Sequence, residues 1–570
     1  MARSEGTMSK RARYALAGLL AVQALLGLFQ VNAEWTRGHN GWNSSAYHQS
    51  AKNSLRWGLL FPLQYYTGTE EQPADAVYTH APLGMHLHDT AAMWVLGDER
   101  YVVRGVAASF AVLAVFALFF VVHRLWGEAH AILAAALYVA LPINAIFLNM
   151  ANHVSGFLAF SLLSVDAYLR LHEAREAEAR GEAETGARRW LLTLYGTFAL
   201  SAFWDWPANY VALMIAAHWL FSAARRAKEA RGALRRDLAG LAGFCALVLA
   251  MFAGHLALVW LATGSLDELL HTANARQGTF GFSWGHHLRT VPLLMFSWPV
   301  LALTGAWIVA AAARLFRGTI ALRDAVPFVF GVAGVAHYVI FRHSAVVHEF
   351  WAWYTLPFVA IACATSLLAA GRFLAARVGG ARGRVVAAGV LVAFMTPFVV
   401  HAARVIPDGR RVGGSMWFVA PVRGPEPFPY DSGRIELRFA ELVREWTDRE
   451  TGVLVHRGFF RRVPEPRWDI TLDREIRRVA TPPRVVPAPS AGVRGWVFVG
   501  ESRDLSELAK RELSARHPFV EVGPFFFVDF RERRPERRAY DLVDGPMTAA
   551  HAFFVSPFEP PLVLRARHPD

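Results

Sequence analysis

The sequence predicts an α-helical polytopic membrane protein of about 11 transmembrane helices, followed by a small C-terminal α/β soluble domain. Three observations predict it. Of the 570 residues, 54% are hydrophobic and only 18% are charged, with a mean hydropathy of +0.26; charged residues make up roughly a quarter of an ordinary soluble chain. The apolar residues fall into long runs separated by basic loops. After position 404 that pattern gives way to shorter alternations. The composition excludes a disordered chain, a collagen-like repeat and a disulfide scaffold. The net charge is +13, and its placement between apolar runs points to membrane topology rather than to nucleic acid. Cys245 and Cys363 each sit inside an apolar run with no CxxC partner, so both read as small packing residues.

The elements follow in order. Arg3, Lys10, Arg11 and Arg13 precede an apolar run from Tyr14 to about Val31. It resembles a signal peptide, but it is long and lacks a clean small-x-small site, so it reads as an uncleaved first span. Further apolar runs cover 101–123, 129–149, 153–171, 190–205, 207–222, 238–262, 290–313, 326–342, 351–370 and 385–404. The connecting segments 223–237, 314–324 and 371–384 are rich in arginine, and with this count they fall on the side of the N-terminus. The positive-inside rule then places the N-terminus in the cytoplasm and the C-terminus outside. The expected division is a transmembrane domain over 1–404, including a large first outer loop at 32–100, and an extracytoplasmic α/β domain over 405–570. The loop holds two helical-looking pieces, about 42–58 and 83–97. The tail opens on a Pro-rich stretch, Gly424–Pro429. It continues with a strand Trp496–Val499, a capped helix near Ser502–Ser514 and a strand Phe525–Phe530.

Polar residues at the ends of spans are expensive and therefore candidates for function. The outer ends gather Gly38-His39-Asn40-Gly41-Trp42-Asn43, then Thr79-His80-Ala81-Pro82-Leu83, then Asn149, Asn152 and His153. Trp204-Asp205-Trp206-Pro207 and the set Arg342, His343, His348, Glu349 and Phe350 complete them. Each has a bland reading too. Asp205 ahead of Pro207 fits a helix cap, and Glu349 beside Trp351 and Trp353 fits an interfacial helix start. His255 in mid-span reads as a packing residue, and Asp166 as the partner of an arginine. Asn43-Ser44-Ser45 matches a glycosylation acceptor pattern, and Arg531–Arg538 reads as a solvated edge. For metal, His286 and His287 are adjacent and no HxxxH or HExxH pattern occurs; a site assembled from His39, His153 and Glu349 stays open.

These motifs resemble the polytopic GT-C glycosyltransferases, above all the family-39 branch of protein O-mannosyltransferases and the aminoarabinose lipid A transferase. Gly38–Asn43 with Tyr47, Ala51-Lys52-Asn53, Leu55-Arg56 and Gly58 looks like that branch's first-loop signature. Tyr78–Leu83 is similar to its Y-x-H-P-P-L stretch, with Ala81 in place of a proline. Asn152-His153 resembles an Asn-His-Glu turn, with Val154 in place of the acid. Asp205-Trp206-Pro207 and His348-Glu349-Phe350-Trp351 match the remaining outer turns. The likeness covers about residues 14–400. One departure matters: the acidic pair usual at the start of the first-loop helix falls on Asn43 and Ser44, and neither an amide nor a hydroxyl acts as a base at neutral pH.

The resemblance implies transfer of a sugar from a polyprenyl-phosphate donor, with inversion, to a lipid, glycan or protein acceptor outside a bacterial cytoplasmic (inner) membrane. No cofactor and no nucleic acid are expected. For the base the candidates are Glu349, Asp205 and His39. Asn40, Asn43, His80, Asn152, His153 and His348 would position donor and acceptor, and Trp206 would stack on a sugar. Arg342, with Arg104 and Arg289 behind it, would hold the phosphate. Two other classes remain: a lipid or solute transporter, for which no internal repeat is visible, and a noncatalytic assembly or scaffold protein of envelope biogenesis, which would account for Asn43 and Ser44.

Overall fold

Each apolar run singled out in the sequence coincides with one or more helices of the computed structural model over its described residues. The structure describes residues 8–63, 77–182, 186–226, 231–277, 293–411, 434–456, 471–554 and 561–567, apart from positions 34, 36–38, 294, 481, 482, 484, 485 and 489–491. Among them, seven helical segments are long and apolar enough to cross a membrane: Arg100–Trp126, Val154–Ala179, Leu234–Thr263, Trp298–Phe316, Leu322–Ile340, Glu349–Val378 and Gly380–Ala403. The other expected spans are the helices α1 (Lys10–Leu28), α5 (Glu128–Ala140), α8 (Ala187–Trp204) and α9 (Ala208–Arg226), which fall outside that measure. The run at 129–149 is broken for a local reason. Leu141 is extended and Pro142 opens a separate short helix, α6 (Pro142–Phe147), because a residue before proline avoids the helical region and proline suits a first turn.

The chain packs as two units: residues 1–28, 79–85 and 105–420 form one, and residues 29–78, 86–104 and 421–570 form the other. In the first unit, helix-to-helix packing depends on close approach. A Cβ at Gly156 on α7 (Val154–Ala179) would stand 2.1 Å from the Trp204 ring at the end of α8. A Cβ at Gly84 would meet the same ring at 2.8 Å. Glycine at both positions lets the fully buried Trp204 fill the space between them. Midway along α7, Asp166 accepts from Arg124 at 3.1 Å and from Arg170 at 2.7 Å, the arginine pairing expected of it. Arg226 and Asp237, both buried, pair at 2.9 Å.

The second unit holds a seven-stranded mixed sheet in the order β2-β1-β3-β5-β4-β6-β7. Its strands are β1 (Thr451–His456), β2 (Ile476–Val479), β3 (Gly495–Glu501), β4 (Pro518–Val522), β5 (Phe525–Asp529), β6 (Glu536–Asp544) and β7 (Leu562–Ala566). β1 is parallel to β2 and β3, whereas β5 runs antiparallel to β3 and β4. Alternation sorts the side chains. Val453, Val497, Val499 and Phe527 pack with Phe439 and Val443 of the helix Arg434–Trp446, and Leu454, Phe498, Phe526 and Val528 form a core on the opposite face. The expected strands at 496–499 and 525–530 are β3 and β5, and the expected capped helix is Glu507–Ser514, whose Ser506 side chain accepts from the Ala509 N–H.

The same unit contains α2 (His39–Trp57), a mostly polar helix that is nonetheless buried. Ion pairs make that burial tolerable. Arg56 donates to both carboxylate oxygens of Asp473, at 2.8 and 2.5 Å. Lys52 lies between Asp98 at 2.8 Å and Asp473 at 3.2 Å, and His48 meets Asp98 at 2.6 Å. These partners hold the carboxyls of Asp98 and Asp473 below the usual carboxylate range against the opposing effect of burial.

Candidate active site at the Asp205 turn

Asp205 stands where α8 ends and α9 has not begun. Its backbone is extended, which lets Oδ1 accept from the Trp206 N–H at 2.8 Å. Oδ2 accepts a short hydrogen bond from the Tyr354 hydroxyl and lies 3.5 Å from His153 Nε2. The carboxyl is 2% exposed. Burial pushes it above the usual aspartate range, opposed by His153, by Tyr354, by the Trp206 amide and by Arg276.

His153 is placed by the turn before α7. Asn152 builds that turn: its Oδ1 accepts from the Val154 N–H at 2.7 Å and its amide donates to the Met150 carbonyl at 2.6 Å. Burial lowers the His153 pKa, the Asp205 charge raises it, and Arg276 lowers it again. His80 stands on the segment before α3 (Gly84–Leu96). Its carbonyl accepts from the Trp206 indole at 2.7 Å, and its Nε2 lies 3.5 Å from Glu268. Burial, and then Arg276, push His80 down to about 4. Both histidines are therefore neutral at neutral pH.

Arg276 belongs to α11 (Asp267–Gln277), which follows the helix that ends at Thr263. Glu268, Thr272 and Arg276 recur every four residues and so share a helix face. Glu268 accepts from Thr79 at 2.7 Å, Thr272 lies 3.5 Å from His80 Nε2, and the Arg276 charge acts on His80, His153 and Asp205. α11 packs against the helix Arg342–Val347. Next in the chain, the 3-10 segment Glu349–Thr355 carries the fully buried Tyr354 and the 1%-exposed Glu349. Phe350 of that segment faces the His153 ring at 6.5 Å, and His348 stacks on Trp351 at 4.8 Å. A Cβ at Gly334 would stand 2.4 Å from the Thr355 side chain, so the helix Leu322–Ile340 approaches this segment closely. Neutral histidines, two buried carboxyls and a nearby guanidinium can accept a proton and hold an anion.

Against solved structures, the chain is similar to ArnT from Cupriavidus metallidurans bound to undecaprenyl phosphate, with a TM-score of 0.56 at 12% identity over 90% of this chain and 97% of that one. The apo state of the same enzyme matches with a TM-score of 0.53 at 14% identity, covering 91% and 98%. The archaeal oligosaccharyltransferase AglB from Archaeoglobus fulgidus, in complex with an inhibitory peptide and a dolichol-phosphate, matches with a TM-score of 0.51 at 14% identity, covering 90% and 73%. The fold is that of ArnT. No family model matches the chain, and no curated protein matches it.

Within the ArnT-like fold, the first unit brings together His80, His153, Asp205 and Trp206, with Asn152 supporting His153. Arg342, His348 and Glu349 lie on the adjoining segment. Trp206 meets His255 edge-on at 4.8 Å, and His255 itself lies 3.2 Å from the Thr79 carbonyl, the packing position expected of it. Asn40 and Asn43 belong to the second unit, buried in α2 with Ser44, which donates to Asn40 at 3.4 Å; burial makes Asn43 a poor glycosylation acceptor. Arg104, also in that unit, donates to the Val31 and Ala33 carbonyls and lies over the Trp35 ring. The side chains of His39 and His343, and the whole of Arg289, His286, His287 and 424–429, lie outside the described residues. Among the described residues no three His, Cys, Asp or Glu side chains are grouped to hold a metal. Sequence reasoning missed Tyr354, which reads as one more belt aromatic, and Arg276. The four-residue spacing of Glu268, Thr272 and Arg276 in a loop that follows a span was the available signal.

Proposed function

We propose that the chain is a membrane glycosyltransferase that moves a sugar from a polyprenyl-phosphate-linked donor to an acceptor on the extracytoplasmic side, with inversion at the anomeric carbon. The observation that carries the reading is the face of α11 that meets the site: Glu268 accepts from Thr79 at 2.7 Å and Thr272 lies 3.5 Å from His80, and Arg276 on that face directs its charge at His80, His153 and Asp205. Among the described residues no carboxylate pairs with Arg276. A cation left without a carboxylate beside neutral bases suits a departing phosphate. The ArnT-like fold supports the same chemistry, since ArnT binds undecaprenyl phosphate and AglB a dolichol-phosphate.

In this reading the lipid tail of the donor lies in the bilayer and its phosphate meets Arg276, with Arg342 as the second cation. His80 and His348 position the sugar and the acceptor, and Trp206 offers an aromatic edge to the sugar. Asp205 and Glu349 are the groups around which the proton chemistry is organised. The arginine-rich segments 223–237 and 371–384 support an orientation with the N-terminus in the cytoplasm and the C-terminal domain outside a bacterial inner membrane. The acceptor is a lipid, a glycan or a protein.

The test is release of polyprenyl phosphate and labelling of an envelope fraction by the purified protein, given undecaprenyl-phosphate-linked mannose, glucose or arabinose. Activity that falls at least about 100-fold in Arg276→Gln supports the reading. Asn43 and Ser44, standing in place of an acidic pair, favour a second one: a noncatalytic protein that binds lipid phosphate. Binding of undecaprenyl phosphate with no transfer from any of the three donors selects it.

A further inference from the structure

We propose that the short helix Ala549–Phe554, between β6 and β7, anchors the second unit on the lipid surface, with the Phe553 and Phe554 rings set into the boundary between headgroups and acyl chains. The proposal needs a membrane-embedded chain and no transfer activity. Composition gives the first reason. From Gly545 to Phe558 the sequence has no Asp, Glu, Lys or Arg, whereas Arg531–Arg538 just before it is nearly all arginine and glutamate. A soluble surface is normally about a quarter to a third charged. Within the uncharged stretch Phe553 is 37% exposed, Phe554 42% and Met547 41%, and the two phenyl rings meet edge-on at 4.9 Å. The helix satisfies its own first turn: the His551 N–H donates to the Thr548 hydroxyl at 3.1 Å and the Ala552 N–H to the Thr548 carbonyl at 2.9 Å. Lipid contact requires such internal pairing. An exposed aromatic patch of this kind marks contact with lipid or with protein.

Hydrogen bonding selects lipid. The Gln30 N–H donates to the Phe553 carbonyl and the Asn32 N–H to the Phe554 carbonyl, each at 2.8 Å, and Phe29 meets the Phe553 ring edge-on at 5.9 Å. Phe29 directly follows α1. That helix lies along the span Arg100–Trp126: a Cβ at Gly27 would stand 2.9 Å from the Ala108 methyl, and Val22, Leu25 and Leu28 are exposed. The carbonyls of Val31 and Ala33, alternating with the bonded amides, accept from Arg104. Arg104 is one turn inside the same span, which has 27 residues. At about 1.5 Å per residue the span exceeds a hydrocarbon core of roughly 30 Å, so its first turn lies among the headgroups. Residues 30–33 are therefore tied on one side to a span at headgroup depth and on the other to Phe553 and Phe554. Trp94, Val95 and Leu96, at the end of α3 in the same unit, are exposed just ahead of that span. The patch on Ala549–Phe554 is thus continuous with surface that the spans already give to lipid, where aromatic rings are favoured.

The experiment uses the full chain carrying Cys245→Ala and Cys363→Ala, in nanodiscs of phosphatidylcholine and phosphatidylglycerol. Phe554→Cys and, separately, Met547→Cys take an environment-sensitive fluorophore. Arg533→Cys, at an exposed position of the same unit, is the water-facing control, and a melting temperature matching the parent checks folding. Nitroxide-bearing lipids should quench the probes at 554 and 547 and shift their emission to the blue. The depth of quenching should place the 554 probe about 5–10 Å into the headgroup and acyl boundary, while only a soluble quencher reaches 533. A probe at 554 quenched from water as strongly as the one at 533 overturns the proposal. So does a probe shielded from both quenchers, which means that a second copy or another protein covers the patch. A second measurement needs no label. Phe553→Asp combined with Phe554→Asp should drive the helix out of the boundary and speed hydrogen exchange at the Gln30 and Asn32 amides, with the spans still protected. Exchange at those two amides unchanged from wild type overturns the proposal as well.

Discussion

The phenolic hydroxyl of Tyr354 donates a hydrogen bond to Oδ2 of Asp205, joining the 3-10 segment after Arg342–Val347 to the turn between α8 and α9. Both residues are buried, so water cannot replace the bond when it is lost. Tyr354→Phe keeps the ring, which packs edge-on against Phe157 at 5.3 Å, and removes only the donor. A hydrogen bond to a charged group is worth about 1.5–3 kcal/mol. The variant should fold and insert normally, and its transfer rate should fall by about 10- to 100-fold; steady-state kinetics beside a thermal melt separate the two effects.

Gly156→Ala tests how Asp205 is placed. The added methyl would fall 2.1 Å from the Trp204 ring, and Trp204 also meets Phe110 at 4.5 Å, so the indole has little room to retreat. Overpacking of this kind costs about 1–3 kcal/mol. The expected outcome is a lower melting temperature together with reduced transfer, because the displaced ring adjoins Asp205 in the chain. A melt unchanged from wild type would mean that α7 and α8 separate freely.

The ion pairs on α2 predict acid sensitivity of the second unit. Its partners hold Asp473 below the usual carboxylate range. A depressed pKa contributes stability that is present above the unfolded value, about 4, and lost as pH falls toward the folded one. Melting temperature should therefore drop below about pH 4. Asp473→Asn should be less stable at pH 7 and show a smaller further loss in acid. Melts recorded between pH 3 and 7 read both effects.

Asp89 on α3 predicts the opposite sign. It is fully buried, and among the described residues neither of its carboxylate oxygens has a hydrogen-bond partner. Burial raises its pKa well above the ordinary value. A raised carboxyl contributes stability that is complete below the unfolded pKa and is lost as pH rises through the folded one. Asp89→Asn should equal or exceed wild type in stability at pH 8, and the advantage should vanish at pH 4. A variant destabilised at both pH values would mean that the carboxylate is ionised and paired.

Some of this was legible in the sequence and some was not, for physical reasons. Burial in lipid or helix core demands uninterrupted apolar runs, so α4 (Arg100–Trp126), α7 and the helix Leu356–Val378 announce themselves. The period-two pattern did the same for β3 and β5. Asp205 and His153 were legible as candidates because a polar group at a span end is costly. Arg276 was not, because its significance lies in where α11 packs, and that is decided by tertiary contacts with the helix Arg342–Val347. Tyr354 hid in the run Phe350-Trp351-Ala352-Trp353-Tyr354, where any aromatic suits the membrane interface. Nor does local pattern reveal that Arg56 and Lys52 find Asp473, a residue with positive φ (50°) in the C-terminal part of the chain.

The most direct measurement is a structure of the full chain with undecaprenyl phosphate bound. The account predicts the lipid phosphate within hydrogen-bond reach of Arg276, beside the His153 ring, with the Asp205–Tyr354 bond intact. A phosphate held elsewhere, with Arg276 and His153 facing no part of the lipid, would contradict it.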